Sequence, residues 1–594
     1  MKKARKLKKQ HAEDKLPNAN VNQDSVKSDS SHPVSLSRRA FLGSLGGVAA
    51  LTLAADVSKL SPLLGVNPTE AHALEIGPLD GVNRRNASAR VRHDAEVFNR
   101  RLPIPDHPCN GDEDLYPSKI GSYSKGLPHE PDRGEVDARA YNSLIQALTT
   151  GEPSDFEAII MGCPPDRRRR LVNPQAGLAF DLEGTDSHQH AIRAAPAFAS
   201  AEEAGEIVEN YWMALLRDVP FEQYESSSLA LEAADDLSRL SDFRGPKEGG
   251  RVTPRTLFRE DFPRVLKGPY ISQFMWLDAP YGANFVEQRM QTTVAGLDYM
   301  TSFDEWLDIQ NGCLPSRSDR FQSRRRYITN GRHIGQWVHV DVLFQAYFVA
   351  CLVMASMGVP HNPGNPYNNS ATQDGFGTFG GPYFKTLVSE VSTRALKAVW
   401  YQKWFVHRRS RPEDFAARVH LRISGLAPDY PIHPDVLNSR VLSRVFDHNS
   451  RLNQGNGTYL LPMAFPEGSP LHPAYGAGHA TVAGACVTIL KALFDESFVI
   501  ENPVIPHPRD PSRLIPYTGP DRDELTVGGE LNKLAINVAF GRNIAGVHWR
   551  TDGTESLKLG EAVAISILRD QRATYNEDFG GYTFTKFDGS QITV

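Results

Sequence analysis

Cationic side chains and histidines occur together at three places in the C-terminal third of this chain. Permanent cations hold a multivalent oxyanion, and imidazoles transfer protons or bind a metal. Residues of these types, brought to one place, predict an enzyme site for a tetrahedral oxyanion. They are Lys403 and Arg411, then Gly478 and His479, then Arg542, His548 and Asp552.

The first segment pairs Lys403 with Arg411, which is followed by Pro412. Proline disfavours the α conformation in the residue before it, so Arg411 is expected to lie just outside a helix that ends at Lys403. The ammonium and the guanidinium would then face the same anion. The alternative is a surface basic cluster that complements the dipole at a helix C-terminus.

The second segment is a loop of small residues that leads into an apolar helix through Gly476, Ala477 and Gly478. Glycine allows the backbone to approach a ligand, and a helix N-terminus offers free N–H groups to an anion. His479 at this junction could transfer a proton to a bound oxygen. The alternative is a histidine near the helix N-cap that binds no ligand.

The third segment contains Arg542, then His548 six positions later, then Asp552 four positions after that. Asp552 can accept a hydrogen bond from one imidazole nitrogen of His548 and leave the other free as a nucleophile or ligand. The alternative is a helix C-terminal arginine beside a histidine that is satisfied in the core.

Helical patterns dominate the chain, and strand signals are weak throughout. The fold class predicted is mainly α, a helical bundle with a long N-terminal elaboration. Residues 335–358 are expected to form one buried helix whose apolar run is too short to cross a membrane. The other predicted helices are 201–216, 229–240, 383–408, 480–494, 530–545 and 554–569.

The N-terminal region is expected to be a processing signal. Arg38 and Arg39 precede a modest apolar stretch, as in a twin-arginine export signal, and Ala71-His72-Ala73 fits a small-x-small cleavage site. The predicted regions are a signal at 1–73, an arm and helical region at 74–330, and a catalytic region at 331–594. Residues 74–135 are expected to be an extended arm. The predicted location is periplasmic or extracellular, without a membrane span in the mature chain.

Charge and cysteine spacing give no indication of a nucleic-acid-binding protein or of a zinc-binding protein. The formal net charge is −5 for 594 residues, which gives no indication of nucleic-acid binding. None of the five cysteines has the spacing of a zinc site. Cys351 and Cys486 lie in apolar segments of the sequence and are expected to be buried. The other three cysteines could form one disulfide, but the sequence does not indicate which two would pair.

Taken in order, Lys403-x7-Arg411-Pro412, Gly478-His479 and Arg542-x5-His548-x3-Asp552 resemble a known superfamily. It comprises the vanadium-dependent haloperoxidases and the type 2 acid phosphatases. The sequence around the motifs is similar to that of the vanadium bromoperoxidases of red algae and cyanobacteria. The motifs cover about a quarter of the chain, residues 403–552.

The resemblance implies roles for these positions, with vanadate as the cofactor. Lys403, Arg411 and Arg542 would neutralise the oxygens of vanadate, and Gly478 would donate its N–H. His548 would bind vanadium, and Asp552 would hold its tautomer. His479 would act as the acid and base, and the partners would be hydrogen peroxide, a halide and an organic acceptor. A homo-oligomer is also implied.

Two features bear on catalysis and halide choice. The family usually has serine where this chain has Ala477, which cannot donate a hydrogen bond to vanadate. His472 occupies a position that is histidine in the bromoperoxidases, and Trp400 is expected to form another wall of the halide pocket. The resemblance therefore implies oxidation of bromide or iodide to a hypohalous-acid equivalent. For Trp400 alone, core packing is an equal alternative.

Two other functions stay open from the sequence. An acid phosphatase on the same scaffold would use His548 as the phosphoryl acceptor. An exported, non-catalytic anion-binding protein would be consistent with the loss of serine at Ala477.

Overall fold

A computed structural model of the chain describes residues 77–594. The predicted signal at 1–73 lies outside the described residues. Residues 83–594 form one compact unit. The predicted division of this unit near residue 330 remains a prediction. The unit is mainly helical, which confirms the predicted fold class.

The N-terminal half of the described chain contains short helices joined by long loops. Helices up to the middle of the chain are α1 (Gly81–Arg101), α2 (Asp112–Leu115), α3 (Ala138–Thr150), α4 (Pro153–Glu157), α5 (Ala201–Leu215), α6 (Ser228–Leu237), α7 (Phe303–Gln310), α8 (Gly331–Val340) and α9 (Gln345–Ser356).

The C-terminal half contains the long helices that form the core. They and their shorter companions are α10 (Gly381–Tyr401), α11 (Pro412–Ile423), α12 (Pro434–Leu437), α13 (Val441–Leu452), α14 (Gly478–Leu493), α15 (Val527–Ile544) and α16 (Arg550–Arg572). A π-helical turn, Gln402–His407, follows α10 directly.

Strands form only small antiparallel pairs in residues 77–594, and helices supply most of the core. The pairs are β1 (Ala279–Tyr281) with β2 (Asn284–Val286), β3 (Val504–His507) with β4 (Asp510–Pro516), and β5 (Thr583–Thr585) with β6 (Gln591–Thr593).

Helix α14 is the centre of the bundle and packs against α10, α15 and α16. Every residue of α14 except His479 is buried, which is typical of a helix surrounded by others. Glycines permit its close crossing with α16. A Cβ on Gly484 would lie 2.0 Å from the Leu557 carbonyl oxygen, and one on Gly560 would lie 2.0 Å from the Thr481 carbonyl oxygen.

The prediction of one helix over residues 335–358 is wrong. The segment contains α8 and α9, which meet at an angle of 103°. Asp341 follows α8 in an extended conformation, with φ −65° and ψ 152°. The apolar pattern continues through both helices, so periodicity alone does not reveal the bend. In residues 77–594, no single helix is long and apolar enough to cross a membrane, and only this bent pair meets that criterion jointly.

The prediction of an extended arm over residues 74–135 is also wrong in part, because α1 lies within it. Asn99 is the only buried residue of α1. A helix that is polar all round has no apolar stripe, so the sequence pattern does not indicate it. Asn99 fixes the C-terminal end of α1 through Nδ2, which donates to the Gly184 carbonyl at 3.2 Å and to Asp570 at 3.3 Å.

The five cysteines comprise one disulfide pair and three free thiols. Cys163 and Cys313 form a disulfide, the pairing that the sequence left open. Cys351 and Cys486 are buried and free, as predicted, and Cys109 is exposed.

Candidate active site

The first turn of α14 opens onto a cavity of about 260 Å³. Both His479 and His548 line it, together with Arg542, so the second and third sequence segments meet here. The remaining lining residues are His339, Leu343, Leu396, Trp400, Phe465, Glu467, Gly468, Pro470, His472 and Gly478.

The helix N-terminus at Gly478 is an anion-binding feature of the cavity wall. Ala477 precedes the helix and makes no side-chain cap, so the first N–H groups of α14 have no partner within the helix. A Cβ on Gly478 would lie 3.1 Å from the Trp400 ring. Glycine therefore lets the indole approach this turn closely.

Lys403 lies on the π-helical turn behind the cavity wall and, like Arg411, is not among the residues that line the cavity. The prediction that Lys403 ends an α-helix is wrong in detail, because α10 ends at Tyr401 and the turn continues to His407. Lys403 is fully buried, and its Nζ lies 2.8 Å from His472 Nδ1 and 3.1 Å from the Pro473 carbonyl oxygen. The π-helical turn places this ammonium beside a histidine that lines the cavity.

Arg411 connects the first segment to His548. It precedes α11 with φ −89° and ψ 156°, which confirms that Pro412 keeps it out of the α region. Nη1 lies 3.1 Å from His548 Nε2 and 2.8 Å from the Val547 carbonyl oxygen. Nη2 lies 2.9 Å from His472 Nδ1. A single guanidinium thus joins two histidines of the cavity.

Arg542 completes the cationic set from the last turns of α15. Its Nη1 donates to the Val338 carbonyl at 2.7 Å, and its Nε is buried without a hydrogen-bond partner among residues 77–594. The guanidinium lies 5.4 Å from the centre of the Phe465 ring. An unpaired, buried N–H group beside a cavity is a position for an acceptor atom of a ligand.

These three cations lack a carboxylate partner. No Asp or Glu oxygen in residues 77–594 lies within 4.0 Å of Lys403, Arg411 or Arg542. Burial lowers the pKa of Arg411 and of Arg542 to about 10, and it lowers the pKa of Lys403 well below its ordinary value. Buried charge of one sign is costly unless an opposite charge joins it, so the cluster suits a multivalent anion.

His548 is held as a neutral imidazole with Nε2 towards the cations. Its Nδ1 lies 2.8 Å from Asp552 Oδ2, which confirms the predicted hydrogen bond, and the Trp549 N–H donates to the same oxygen at 3.1 Å. Burial and then Arg411 lower the pKa of His548. Burial raises the pKa of Asp552 to about 6, although Arg409 opposes this. Nε2 is therefore the nitrogen that can bind a metal.

Arg409 is a supporting residue that was not predicted from the sequence. Its Nη1 donates to Asp552 Oδ1 at 2.9 Å, and its Nη2 pairs with Glu203 and with Glu206, the latter at 2.8 Å. Both glutamates lie on α5, about 200 residues earlier in the chain. The sequence carries no local signal for this pairing.

His479 also has a carboxylate partner that was not predicted. Its Nε2 lies 2.9 Å from Asp341 Oδ1, at the bend between α8 and α9. Burial lowers the pKa of His479, while Asp341 opposes that effect. The bend is the structural reason that Asp341 reaches His479.

Trp400 and His472 form a second wall of the cavity. Their ring centres are 5.0 Å apart, and Lys403 Nζ lies 4.8 Å from the centre of the Trp400 ring. His472 Nδ1 lies 2.8 Å from Lys403 Nζ, 2.9 Å from Arg411 Nη2 and 3.1 Å from the Pro473 carbonyl oxygen. In the tautomer that accepts from the two cations, the ring proton of His472 is on Nε2.

His339 and Glu467 line the same cavity and were not predicted. His339 Nε2 lies 2.7 Å from Glu467 Oε1, and its ring stacks on Phe465 with centres 3.8 Å apart. Burial alone would raise the pKa of Glu467, but the hydrogen bond from His339 lowers it to about 2. These residues have no recognisable spacing relative to the three cationic segments.

Comparison with known proteins identifies the family. Residues 448–577 match the model of the VCPO second helical-bundle domain. A vanadium-dependent bromoperoxidase of Corallina officinalis is 35% identical over 87% of this chain and 100% of its own length. One from Corallina pilulifera is 35% identical over 84% of this chain and 96% of its own. The chain belongs to the vanadium-dependent bromoperoxidase family.

The three-dimensional fold agrees with this family. The homohexameric structure of the second vanadate-dependent bromoperoxidase (AnII) from Ascophyllum nodosum superposes with a TM-score of 0.83. It is 32% identical and covers 90% of this chain and 95% of that one. Membership of the bromoperoxidase family supports the haloperoxidase interpretation over the acid phosphatase and the non-catalytic alternatives.

The residues of this bromoperoxidase-family site fit vanadate, the family's cofactor. Three buried cations without a carboxylate match a tetrahedral oxyanion, and the unpaired Arg542 Nε offers it a further donor. A neutral imidazole nitrogen, His548 Nε2, is a suitable metal ligand.

Proposed function

We propose that this protein oxidises bromide or iodide with hydrogen peroxide to a hypohalous-acid equivalent, which halogenates small organic acceptors. The observation that carries the proposal is a buried cationic cluster without carboxylate partners at one cavity. Arg542, His479 and His548 line the cavity, and Arg411 and Lys403 contact its histidines from behind the wall. A phosphatase would need the same anion site, but family membership favours the peroxidase.

Each residue of the site has a proposed part in holding vanadate. Lys403, Arg411 and Arg542 would neutralise its oxygens, with the N–H of Gly478 as a further donor, and His548 Nε2 would bind vanadium. Bound vanadate supplies a Lewis-acidic centre that activates hydrogen peroxide.

The protein's own proton chemistry is assigned to His479. Its Nε2 is engaged by Asp341, while its Nδ1 has no hydrogen-bond partner among residues 77–594. Nδ1 is therefore the atom that would accept a proton from hydrogen peroxide and later donate it as an acid. Asp341 stabilises the imidazolium that exists between the two transfers.

Halide binding is assigned to the wall formed by Trp400 and His472. The Nε2–H of His472 is a hydrogen-bond donor, and Lys403 lies beside both rings. A donor and a cation next to an apolar indole suit a large, weakly hydrated anion such as bromide or iodide.

Assembly and location extend the proposal beyond the site. The AnII structure is homohexameric, and we infer a homo-oligomer for this chain, without a subunit number. Arg38 and Arg39 support export through a twin-arginine route, to the periplasm or the cell exterior.

The test is a vanadate-reconstituted halogenation assay with hydrogen peroxide and monochlorodimedone across chloride, bromide and iodide. We expect activity with bromide and iodide. Replacement of His548→Ala should abolish it, because the metal ligand is lost. A control variant, Asp374→Asn in an exposed loop, should keep full activity. Phosphate-ester hydrolysis without halogenation in the unmodified protein would overturn the proposal.

A further inference from the structure

A second cavity of about 510 Å³ lies apart from the site and shares none of its lining residues. Its volume is in the range of sites for small organic ligands. It is enclosed by loops and by the β3–β4 pair. Prolines contribute much of its wall: Pro220, Pro254, Pro269, Pro506, Pro508, Pro511 and Pro520.

Three aromatic rings form one side of the second cavity. Phe221 and Tyr270 stack with centres 3.9 Å apart and planes inclined by 7°. Tyr224 meets Phe221 edge-on at 5.6 Å. Such a wall favours a flat, aromatic ligand, because rings pack well against faces and edges of other rings.

The inner end of the second cavity carries a buried cation. Arg259 is 7% exposed, and no Asp or Glu oxygen in residues 77–594 lies within 4.0 Å of its guanidinium. It donates to the carbonyls of Leu266 at 3.1 Å and Gly268 at 3.4 Å, so other N–H groups stay available. Its guanidinium lies 5.2 Å from the centre of the Tyr270 ring, and burial lowers the pKa of Arg259.

A tyrosine hydroxyl in the cavity wall also has no hydrogen-bond partner among residues 77–594. Tyr224 is 3% exposed, lines the cavity, and has no hydrogen bond to its hydroxyl within residues 77–594. Burial raises the pKa of Tyr224 well above its ordinary value, so the hydroxyl keeps its proton and can donate. The cavity wall thus carries two kinds of hydrogen-bond donor, the Tyr224 phenol and the Arg259 guanidinium.

The carboxylates of the cavity do not satisfy Arg259. Glu222 and Glu225 are exposed at the mouth, where Arg255 is exposed as well. Asp521 accepts from the Gly268 N–H at 2.7 Å and from the Tyr517 hydroxyl at 2.7 Å. The cavity thus has a cationic inner end, an aromatic wall and a mouth of mixed charge.

We propose that the second cavity binds a planar aromatic carboxylate. Its ring packs against the Phe221 and Tyr270 side of the cavity, and its carboxylate accepts hydrogen bonds from the Arg259 guanidinium. The cationic cluster around His548 attracts an inorganic oxyanion, whereas this site selects an organic anion with an apolar face. The proposal does not depend on halide oxidation.

The test is isothermal titration of the full chain with sodium 2-naphthoate, in excess orthovanadate so that the cations of the catalytic cavity are occupied. The neutral 2-naphthamide is the matched ligand. We expect 2-naphthoate to bind at one site per chain, and Arg259→Gln to weaken it by about tenfold or more while leaving 2-naphthamide unchanged. Arg264→Gln, an exposed arginine outside this cavity, is the matched control and should bind as the unmodified protein does.

A second variant protects the test against misfolding. Phe221→Ala removes part of the aromatic wall and should weaken both ligands. Unchanged melting temperatures would show that each variant is folded. Equal 2-naphthoate affinity in the unmodified protein and Arg259→Gln would overturn the proposal. So would absence of binding to the unmodified chain, the result expected if another segment or a second copy fills the cavity.

Discussion

Lys403 is fully buried, yet its ammonium contacts an imidazole nitrogen, a carbonyl oxygen and the Trp400 ring, and no carboxylate among residues 77–594. Arg411 contacts carbonyl oxygens and histidines, and Arg542 donates to a carbonyl oxygen, so neither has a carboxylate partner in residues 77–594. The neighbouring Arg409 shows the contrast, because it pairs with three acids. Carboxylates therefore neutralise Arg409, which supports Asp552. Lys403, Arg411 and Arg542 have no carboxylate partner in residues 77–594 and can interact with a bound anion.

Vanadate affinity is expected to fall as pH rises. Burial, and then Arg411, lower the pKa of Lys403, and a bound anion favours the charged ammonium. Binding is therefore strongest below that pKa and weakens as pH rises through it. Titration of vanadate between about pH 7 and 10 should show a steeper loss in the unmodified protein than in Lys403→Arg, whose guanidinium stays charged. Parallel curves would contradict this, since the ionisation of vanadate itself is common to both.

Ala477→Ser is expected to strengthen both the helix and the anion site. Ala477 lies at the N-cap of α14 without a side-chain cap. The new hydroxyl can accept from a first-turn N–H and donate to vanadate, worth about 1 kcal/mol of stability and about 0.5–1.5 kcal/mol of affinity. Thermal unfolding and vanadate titration measure the two effects. Ala477→Gly, which adds no donor, should give no gain in affinity, and an equal gain there would refute the explanation.

The bend between α8 and α9 places Asp341 beside His479, and the glycines Gly484 and Gly560 permit the close crossing of α14 and α16. His479 is the second residue of α14, and His548 directly precedes the N-cap of α16. Two helix starts therefore place the two histidines, and the bend supplies the carboxylate for one of them.

Asp341→Ala should lower the bromination rate about 10- to 100-fold, because the orientation of His479 depends on its partner. The pH dependence of the rate should also change, since Asp341 opposes the lowering of the His479 pKa by burial. Vanadate affinity should change less, since Asp341 does not contact the three cations. Asp341→Asn, which keeps the shape, is the informative comparison. An unaltered rate and pH profile in Asp341→Ala would remove the residue from the proton chemistry.

Processing concerns the whole molecule. Residues 1–73 carry eleven basic and six acidic residues, so the remaining chain is near −10 at neutral pH. Removal of this predicted signal would therefore leave an exported chain that is more acidic than the full sequence.

Export is tested by changing the paired arginines. Replacement of both Arg38 and Arg39 by lysine should retain the protein in the cytoplasm, because a twin-arginine receptor reads that pair. Fractionation of cells with the bromination assay measures the location. Lys27→Arg, an equally conservative exchange at a basic residue outside the pair, is the control and should leave export unchanged. Export of the double variant would exclude the twin-arginine route.

The sequence alone predicted the contacts that depend on residues close together in the chain. Local rules predicted the position of Arg411 before Pro412 and the hydrogen bond of His548 with Asp552, because both depend on residues within one turn. The order of the three motifs carried the family resemblance. The mainly α class followed from helical periodicity, which persists in any sequence that buries one helix face.

Only the tertiary structure decided which distant groups act together. Asp341 meets His479 across 138 residues, and Arg409 meets Glu206 across 203. The Cys163–Cys313 pairing was equally out of reach. Such contacts depend on how helices pack and bend, which no local pattern encodes. Residue types and spacing therefore determined the chemistry available to this chain, and packing decided which partners control it.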